Sequence, residues 1–323
     1  MEINRINIRT WSMLGARRTF GTVMDIYANE FDKLFVMSGD LASSSGLDRF
    51  LKNHPEKFLS AGIAEQNMVG IASGLAADGF VPFITSFSPF VTGRCYDQIR
   101  MHLGYMHHNV KLVGLAAGIG VGIQGNSHFG LDDVALMRAV PGMMIVEPAD
   151  CTEVAKAIKA VYDYEGPIYL RLVGEAGSPI VNKADYEFEL GKAITMREGN
   201  DVAIVCAGTM VFQSLQAAKQ LAEDGIECKV INMHTIKPID KDALESIRGY
   251  KMIICIEETN VIGGIGSAVA EYLASKPNSP AVKIYGINDC FPHAGTYKFM
   301  LDKLGLDAPH IANRIKKDLD DIS

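Results

Sequence analysis

What the sequence lacks narrows its functions first. Its six cysteines, at 95, 151, 206, 228, 255 and 290, form no CxxC pair, which excludes zinc knuckles and dithiol redox motifs and reads most of the thiols as buried and reduced. No Lys/Arg run reaches the density of a phosphate-backbone binder, and 31 basic against 38 acidic residues leave a formal charge of -7. Nucleic acid is therefore not an expected partner. No stretch approaches the roughly 20 apolar residues that span a bilayer, and the opening MEINRINIRTWSMLGARRTF has no apolar signal core. The expectation is a cytoplasmic protein with no membrane partner. Low-complexity tracts and short repeats are absent too, which excludes solenoids. His102, His107 and His108 lack the i, i+4 spacing that stacks ligands on one helix face, so no metal is expected on this chain.

What is present is an ordinary globular composition, 48% hydrophobic and 21% charged, in a chain of 323 residues. That length exceeds one compact core and predicts two domains. From about residue 20 the chain alternates helix-like stretches with apolar strands such as KLFVMSGD, FVPFITSF, VKLVGLAAG, MMIVEP and IYLRL. Fully apolar strands belong to a sheet covered on both faces, so the fold class is α/β with a mostly parallel, doubly wound sheet. A second, smaller alternating series begins at DVAIVCAG. The expected division is residues 1–175, a linker at 176–192 with glycine, proline and mixed charge, and 193–323. A single helix is read through FVTGRCYDQIRMHLGYM, and Asp150 with Glu153 reads as a capping-box variant.

Two glycine-rich stretches invite a nucleotide reading. GVGIQG at 120–125 matches GxGxxG after a strand, but NSHFG separates it from the next helix, whereas a dinucleotide site opens its helix on the motif. GGIGS at 263–267 reads as a tight turn into a helix, with a phosphate at that helix N-terminus as the alternative.

The segment SAGIAEQNMVGIASGLAADGFVPFITSFSPF, followed in order by GNSHFGLDDVALMRAVPGMMIVEPAD, YLRL, INMHTIKPID and IEETNVIGGIGSAVAEYLA, resembles the pyrimidine-binding and C-terminal domains of transketolases and deoxyxylulose-phosphate synthases. The resemblance covers nearly the whole chain. It implies thiamine diphosphate as cofactor, with magnesium or calcium held mainly by another chain, because the GDG motif of the family's diphosphate-binding domain is missing. A partner subunit carrying that domain is implied, with two copies of each chain. The implied reaction moves a two-carbon ketol unit from a ketose to an aldose, the substrates being sugar phosphates or similar anionic sugars. A 2-oxo-acid-decarboxylating relative and a non-catalytic subunit are the alternatives.

The same resemblance assigns residues. Glu65 is the carboxyl group that bonds the aminopyrimidine and thereby activates the cofactor; burial among GIAEQNMVGIASGLAA favours its protonated form, as that role needs. Phe87 and Phe90 are the aromatic shelf, where stacking contributes about 0.5–1.5 kcal/mol beyond burial. Asp40 and Ile63 approach the cofactor. His128 exchanges protons with ketose hydroxyls, a task imidazole suits near neutrality. Arg171, Arg17 and Ser44 receive the substrate's anion, guanidinium being suited to oxyanions. Gln124 stands where transketolases place an aspartate, Ala116 and Ala117 where a His-Asp pair is common, and Gly93 where a third aromatic is usual. These departures fall on the substrate wall and point to an atypical anionic sugar.

Overall fold

Apolar runs without polar alternation become buried parallel strands here. The computed structural model describes residues 1–321. Its strands are β1 (Leu34–Ser38), β2 (Phe58–Ser60), β3 (Val81–Phe87), β4 (Lys111–Ala117), β5 (Met144–Val146), β6 (Ile168–Val173), β7 (Ile194–Arg197), β8 (Val202–Cys206), β9 (Cys228–Asn232), β10 (Thr235–Lys237), β11 (Met252–Asn260) and β12 (Ala281–Ile287). A seven-stranded sheet runs β10-β5-β6-β4-β3-β1-β2 and a five-stranded one β12-β11-β8-β9-β7. All pairings are parallel except those of the edge strands β10 and β7. Every residue of β3, β4 and β6 is buried, because helices cover both faces. Even Lys111 lies inside; its ammonium donates to Tyr164 O and Gly166 O at 2.6 and 2.8 Å, and burial lowers its pKa to about 7.

Two long helices clamp one face of the first sheet. Asn4 caps the first, Arg5–Tyr27, by accepting from the amides of Ile6 and Asn7. The helix breaks at Gly15, whose φ of +78° suits glycine and where a Cβ would lie only 2.7 Å from Glu175 O. Helix Cys151–Asp163 packs against it and starts at the expected cap: Asp150 accepts from Glu153 N at 2.8 Å. The Glu153 carboxylate reaches back to Ala149 N, one residue beyond the usual box.

The single helix expected over 90–106 is instead a chain of short pieces. One turn, Ser88–Val91, is followed by a 3₁₀ turn at Gly93–Cys95, a short helix Tyr96–Gln98 and a π-helical stretch Ile99–Tyr105. Pro89 fits only a first turn, and Gly93 weakens propagation immediately after it. Strands β2, β7, β10 and β12 were not legible as periodic segments, being short or edge elements. β10 also crosses between halves, pairing antiparallel with β5 of the first sheet. Five cysteines are buried and Cys290 is exposed.

The two sheets meet along a polar seam. Arg171, on β6, is fully buried and donates to Asp133 Oδ2 at 2.8 Å, Glu147 Oε1 at 2.9 Å, Gly130 O at 3.0 Å and Glu258 O at 3.1 Å. Glu258 in turn accepts from Ile119 N at 2.9 Å and from the Thr209 and Tyr297 hydroxyls. Burial pushes Glu147 up to about 7 despite the neighbouring guanidinium. The GGIGS turn opens helix Ile265–Ala274, but its N-terminus is already filled by an internal carboxyl group, since Glu257 Oε2 accepts from Ile265 N at 2.6 Å. The phosphate alternative at this turn is thereby excluded.

Candidate active site

The carboxyl ends of parallel strands are where α/β sheets gather ligands, and the candidate residues cluster at the ends of β1, β3 and β4. Glu65 is the first residue of helix Glu65–Ala77 and only 2% exposed. Ser86 Oγ donates to its Oε1 at 3.0 Å, and Arg94 Nη1 donates to its Oε2 at 2.9 Å. Gly39, at the end of β1, leaves room for it, as a Cβ there would lie 3.1 Å from Glu65 Cγ. Asp40 follows, exposed and in the left-handed region at φ +63°, a conformation uncommon outside glycine and often kept at functional sites. Ile63, 78% exposed, lies two residues before Glu65.

Phe87 ends β3 and Phe90 lies in the next turn. Their ring centroids are 6.1 Å apart, edge to face, and His128 sits 5.4 Å from Phe87 and 5.3 Å from Phe90. Three rings in T-shaped contact make a rigid corner. Ser88, at the head of that turn, donates to Asp133 Oδ2 at 2.7 Å, and Tyr169 donates to the same oxygen at 2.6 Å. The corner is thereby tied to the buried seam. His128 Nδ1 pairs with Ser127 Oγ at 2.9 Å, in a loop that passes over the end of β4. GVGIQG forms a 3₁₀ turn, Gly122–Gln124, rather than opening a helix, so the dinucleotide reading fails on geometry. Gln124 is exposed on that turn, whereas Ala116 and Ala117 are fully buried.

Arg17 and Ser44 are brought together. Both line a cavity of about 380 Å³ with Arg18, Ser43, Gly174 and Glu175. The Arg17 guanidinium lies 6.0 Å from the Phe87 ring centroid, joining the cavity to the aromatic corner. Burial, with repulsion from Arg18, lowers its pKa from the usual arginine value. Arg171 does not belong to this set. It points into the seam, with Asp133 and Glu147 neutralising it, so the expectation that it receives the substrate anion is corrected. A strand-end arginine in a fully apolar strand was read as reaching outward; the fold turns it inward.

Two residues were missed from sequence. Ser86 precedes Phe87, and strand alternation sends it to the opposite face, toward Glu65. Arg94 stands four residues after Phe90, a spacing that places a side chain over its predecessor in helical turns. The Arg94 guanidinium carbon is 4.2 Å from the Phe90 centroid. Among the described residues one group, Asp302, Asp307 and His310, has metal-like proximity. Asp307 there caps helix Ala308–Asp320 by accepting from His310 N at 3.1 Å and also pairs with the His310 ring, so these contacts have a structural account.

A buried carboxyl group with two donors thus lies beside an aromatic corner and an arginine-lined cavity, one cluster at the carboxyl edge of the first sheet. Its place at the strand ends of a two-sheet α/β chain is that of the pyrimidine half of a thiamine-diphosphate enzyme. Comparison with known proteins agrees: residues 12–175 match the transketolase pyrimidine-binding domain and residues 191–311 the transketolase C-terminal domain, and the chain belongs to the transketolase family. It is 38% identical to 6-deoxy-6-sulfo-D-fructose transketolase subunit SqwH of Clostridium sp. (strain MSTE9), over 91% of both chains. It is 37% identical to a putative transketolase C-terminal section of Methanocaldococcus jannaschii, over 94% of this chain and 96% of that one. A solved structure titled "Split gene transketolase, inactive beta4 tetramer" superposes with a TM-score of 0.85 at 38% identity, covering 94% of this chain and 97% of that one. The family's domains imply use of thiamine diphosphate, and these relatives are transferases divided between chains. No helix among the described residues is long and apolar enough to cross a membrane.

Proposed function

We propose that this chain is the pyrimidine-holding subunit of a two-chain transketolase, moving a two-carbon ketol unit from an anion-bearing ketose to an aldose. The observation that carries this reading is Glu65, buried beside Ser86 and against the Phe87, Phe90 and His128 corner. These residues fit thiamine diphosphate: a carboxyl group for the aminopyrimidine, flat rings beside it, and no GDG motif to take the diphosphate. A partner chain bearing that motif, and with it magnesium or calcium, completes the site in an assembly with two copies of each chain, in the cytoplasm. Bound thiamine diphosphate supplies carbanion chemistry that side chains cannot. Glu65 holds a proton against the pyrimidine, and Phe87 and Phe90 fix the ring plane. Asp40 and Ile63 border it. His128 moves protons at the ketose hydroxyls, with Gln124 on the same loop wall. Arg17 and Ser44 receive the terminal anion, an arrangement as suited to sulfonate as to phosphate. The name of the Clostridium relative, whose sugar carries a sulfo group, supports that breadth.

The test is two-carbon transfer by the purified chain, alone and with a GDG-bearing partner, using ketoses ending in phosphate, sulfonate or hydroxyl. Transfer only by the mixture, falling by about 10²–10⁴ in Glu65→Gln, is expected. Transfer by this chain alone, or mixture activity indifferent to Glu65→Gln, sinks the reading; carbon dioxide release from pyruvate would move it to the 2-oxo-acid branch.

A further inference from the structure

Glu65 is already engaged by a residue of its own chain. Arg94 Nη1 donates to Glu65 Oε2 at 2.9 Å while the same guanidinium lies 4.2 Å from the Phe90 centroid. One cation therefore uses both surfaces assigned above to the pyrimidine ring, the carboxyl oxygen and the aromatic face. The arrangement is not a chance surface pair. Oε1 is held by Ser86, so Oε2 is the oxygen left to bond a ligand. The Arg94 carbonyl is pinned by Gln66 Nε2 at 3.1 Å, from the residue next to Glu65, which keeps the segment close. Yet the Arg94 side chain is 43% exposed, whereas that of Glu65 is 2% exposed. It can swing into solvent without breaking the core.

We propose that Arg94 is a gate on the pyrimidine shelf: it occupies Glu65 and Phe90 in the absence of a heterocycle and must leave both for thiamine diphosphate to bind. The inference rests on the transketolase reading and adds to it a competitor within the chain. An ion pair open to solvent on its arginine side and a cation–π contact of ordinary strength bias the closed arrangement by roughly five- to thirtyfold, and apparent affinity falls by the fraction of chains left open.

The experiment is calorimetric titration of thiamine diphosphate with magnesium into the two-chain assembly, comparing wild type with Arg94→Gln and Arg94→Lys. Arg94→Gln is expected to tighten binding by roughly tenfold, with Arg94→Lys between the two, because lysine keeps the charge but loses the planar stack. Binding equal to or weaker than wild type in Arg94→Gln overturns the gate while leaving the function intact. A wild-type assembly that takes up no thiamine diphosphate overturns the function as well. Thermal melts of the isolated chain give a second readout: Arg94→Gln lowers the midpoint, and the decrease disappears in a Glu65→Gln background. Additive effects of the two substitutions would remove the pair from solution and the gate with it.

Discussion

Arg171 and Arg94 both meet buried carboxylates, and their surroundings differ in one respect. Arg171 spends its donors on Asp133, Glu147 and the carbonyls of Gly130 and Glu258, with no exposed surface. Arg94 makes one 2.9 Å bond to a carboxylate and remains 43% exposed at its side chain. The first is a structural joint between two sheets; the second is a removable contact at a ligand site. Saturation of hydrogen bonding, more than burial of a charge, separates the two. Glu65 and Glu147 are both buried glutamates beside an arginine, yet only Glu65 faces a partner able to leave.

The sharpest way to break this comparison is Arg171→Met. It leaves Asp133 and Glu147 without their cation inside the fold, and losing one partner of a buried pair costs about 3–5 kcal/mol. The urea midpoint of the isolated chain should fall accordingly. A loss below 1 kcal/mol would mean that the seam relaxes around the missing charge and that Arg171 is no joint. Because Asp133 also accepts from Ser88, at the head of the Phe90 turn, the substitution is expected to loosen the aromatic corner as well.

Arg17→Met probes the opposite end of the comparison. Hydrogen bonds to charged groups contribute about 1.5–3 kcal/mol, so KM for a ketose ending in phosphate or sulfonate should rise by roughly 10–100-fold. A neutral ketose should barely notice. Equal losses for charged and neutral ketoses would remove Arg17 from the anion cavity and leave it a packing residue over Phe87.

How much of this was legible in the sequence divides along the same line. The apolar strands announced a sheet covered on both faces, and at its carboxyl edge Phe87, Phe90 and His128 lie in ring contact, with Glu65 bonded to the Arg94 that covers Phe90. Arg17 and Ser44 share a cavity. Arg171 was misread because a motif records position in the chain and not which side of a strand faces solvent. β10 was missed because three residues carry no periodicity, and its pairing with β5 is decided by tertiary contact. The run 90–106 was read as one helix although Gly93 stood inside it, and Arg94, four residues beyond Phe90, was not weighed as a partner for that ring although helical spacing offered it.

The most gradual effect, spread over several pH units, concerns a carboxyl group in the seam that an arginine does not neutralise directly. Glu257 Oε2 accepts from Ile265 N, and Gly266 N contributes a second bond, while Oε1 finds no hydrogen-bond partner among the described residues. Burial raises its pKa from 4.5 to about 8, with Glu147 adding to the rise and the two amides and Arg171 opposing it. The folded chain therefore keeps a proton that the unfolded chain releases above pH 4.5. Stability from this group is complete below that value and is lost as pH climbs toward 8. Glu257→Gln removes the titration and should flatten the fall in stability between pH 5 and 8 by at most about 1.4 kcal/mol per pH unit. Urea midpoints at pH 5, 6, 7 and 8 measure it, with Glu147 and Glu153, each raised to about 7, supplying the slope that remains. An unchanged slope in Glu257→Gln would mean that water or movement of helix Ile265–Ala274 satisfies the free oxygen, and the seam would then be less saturated than Arg171 makes it look.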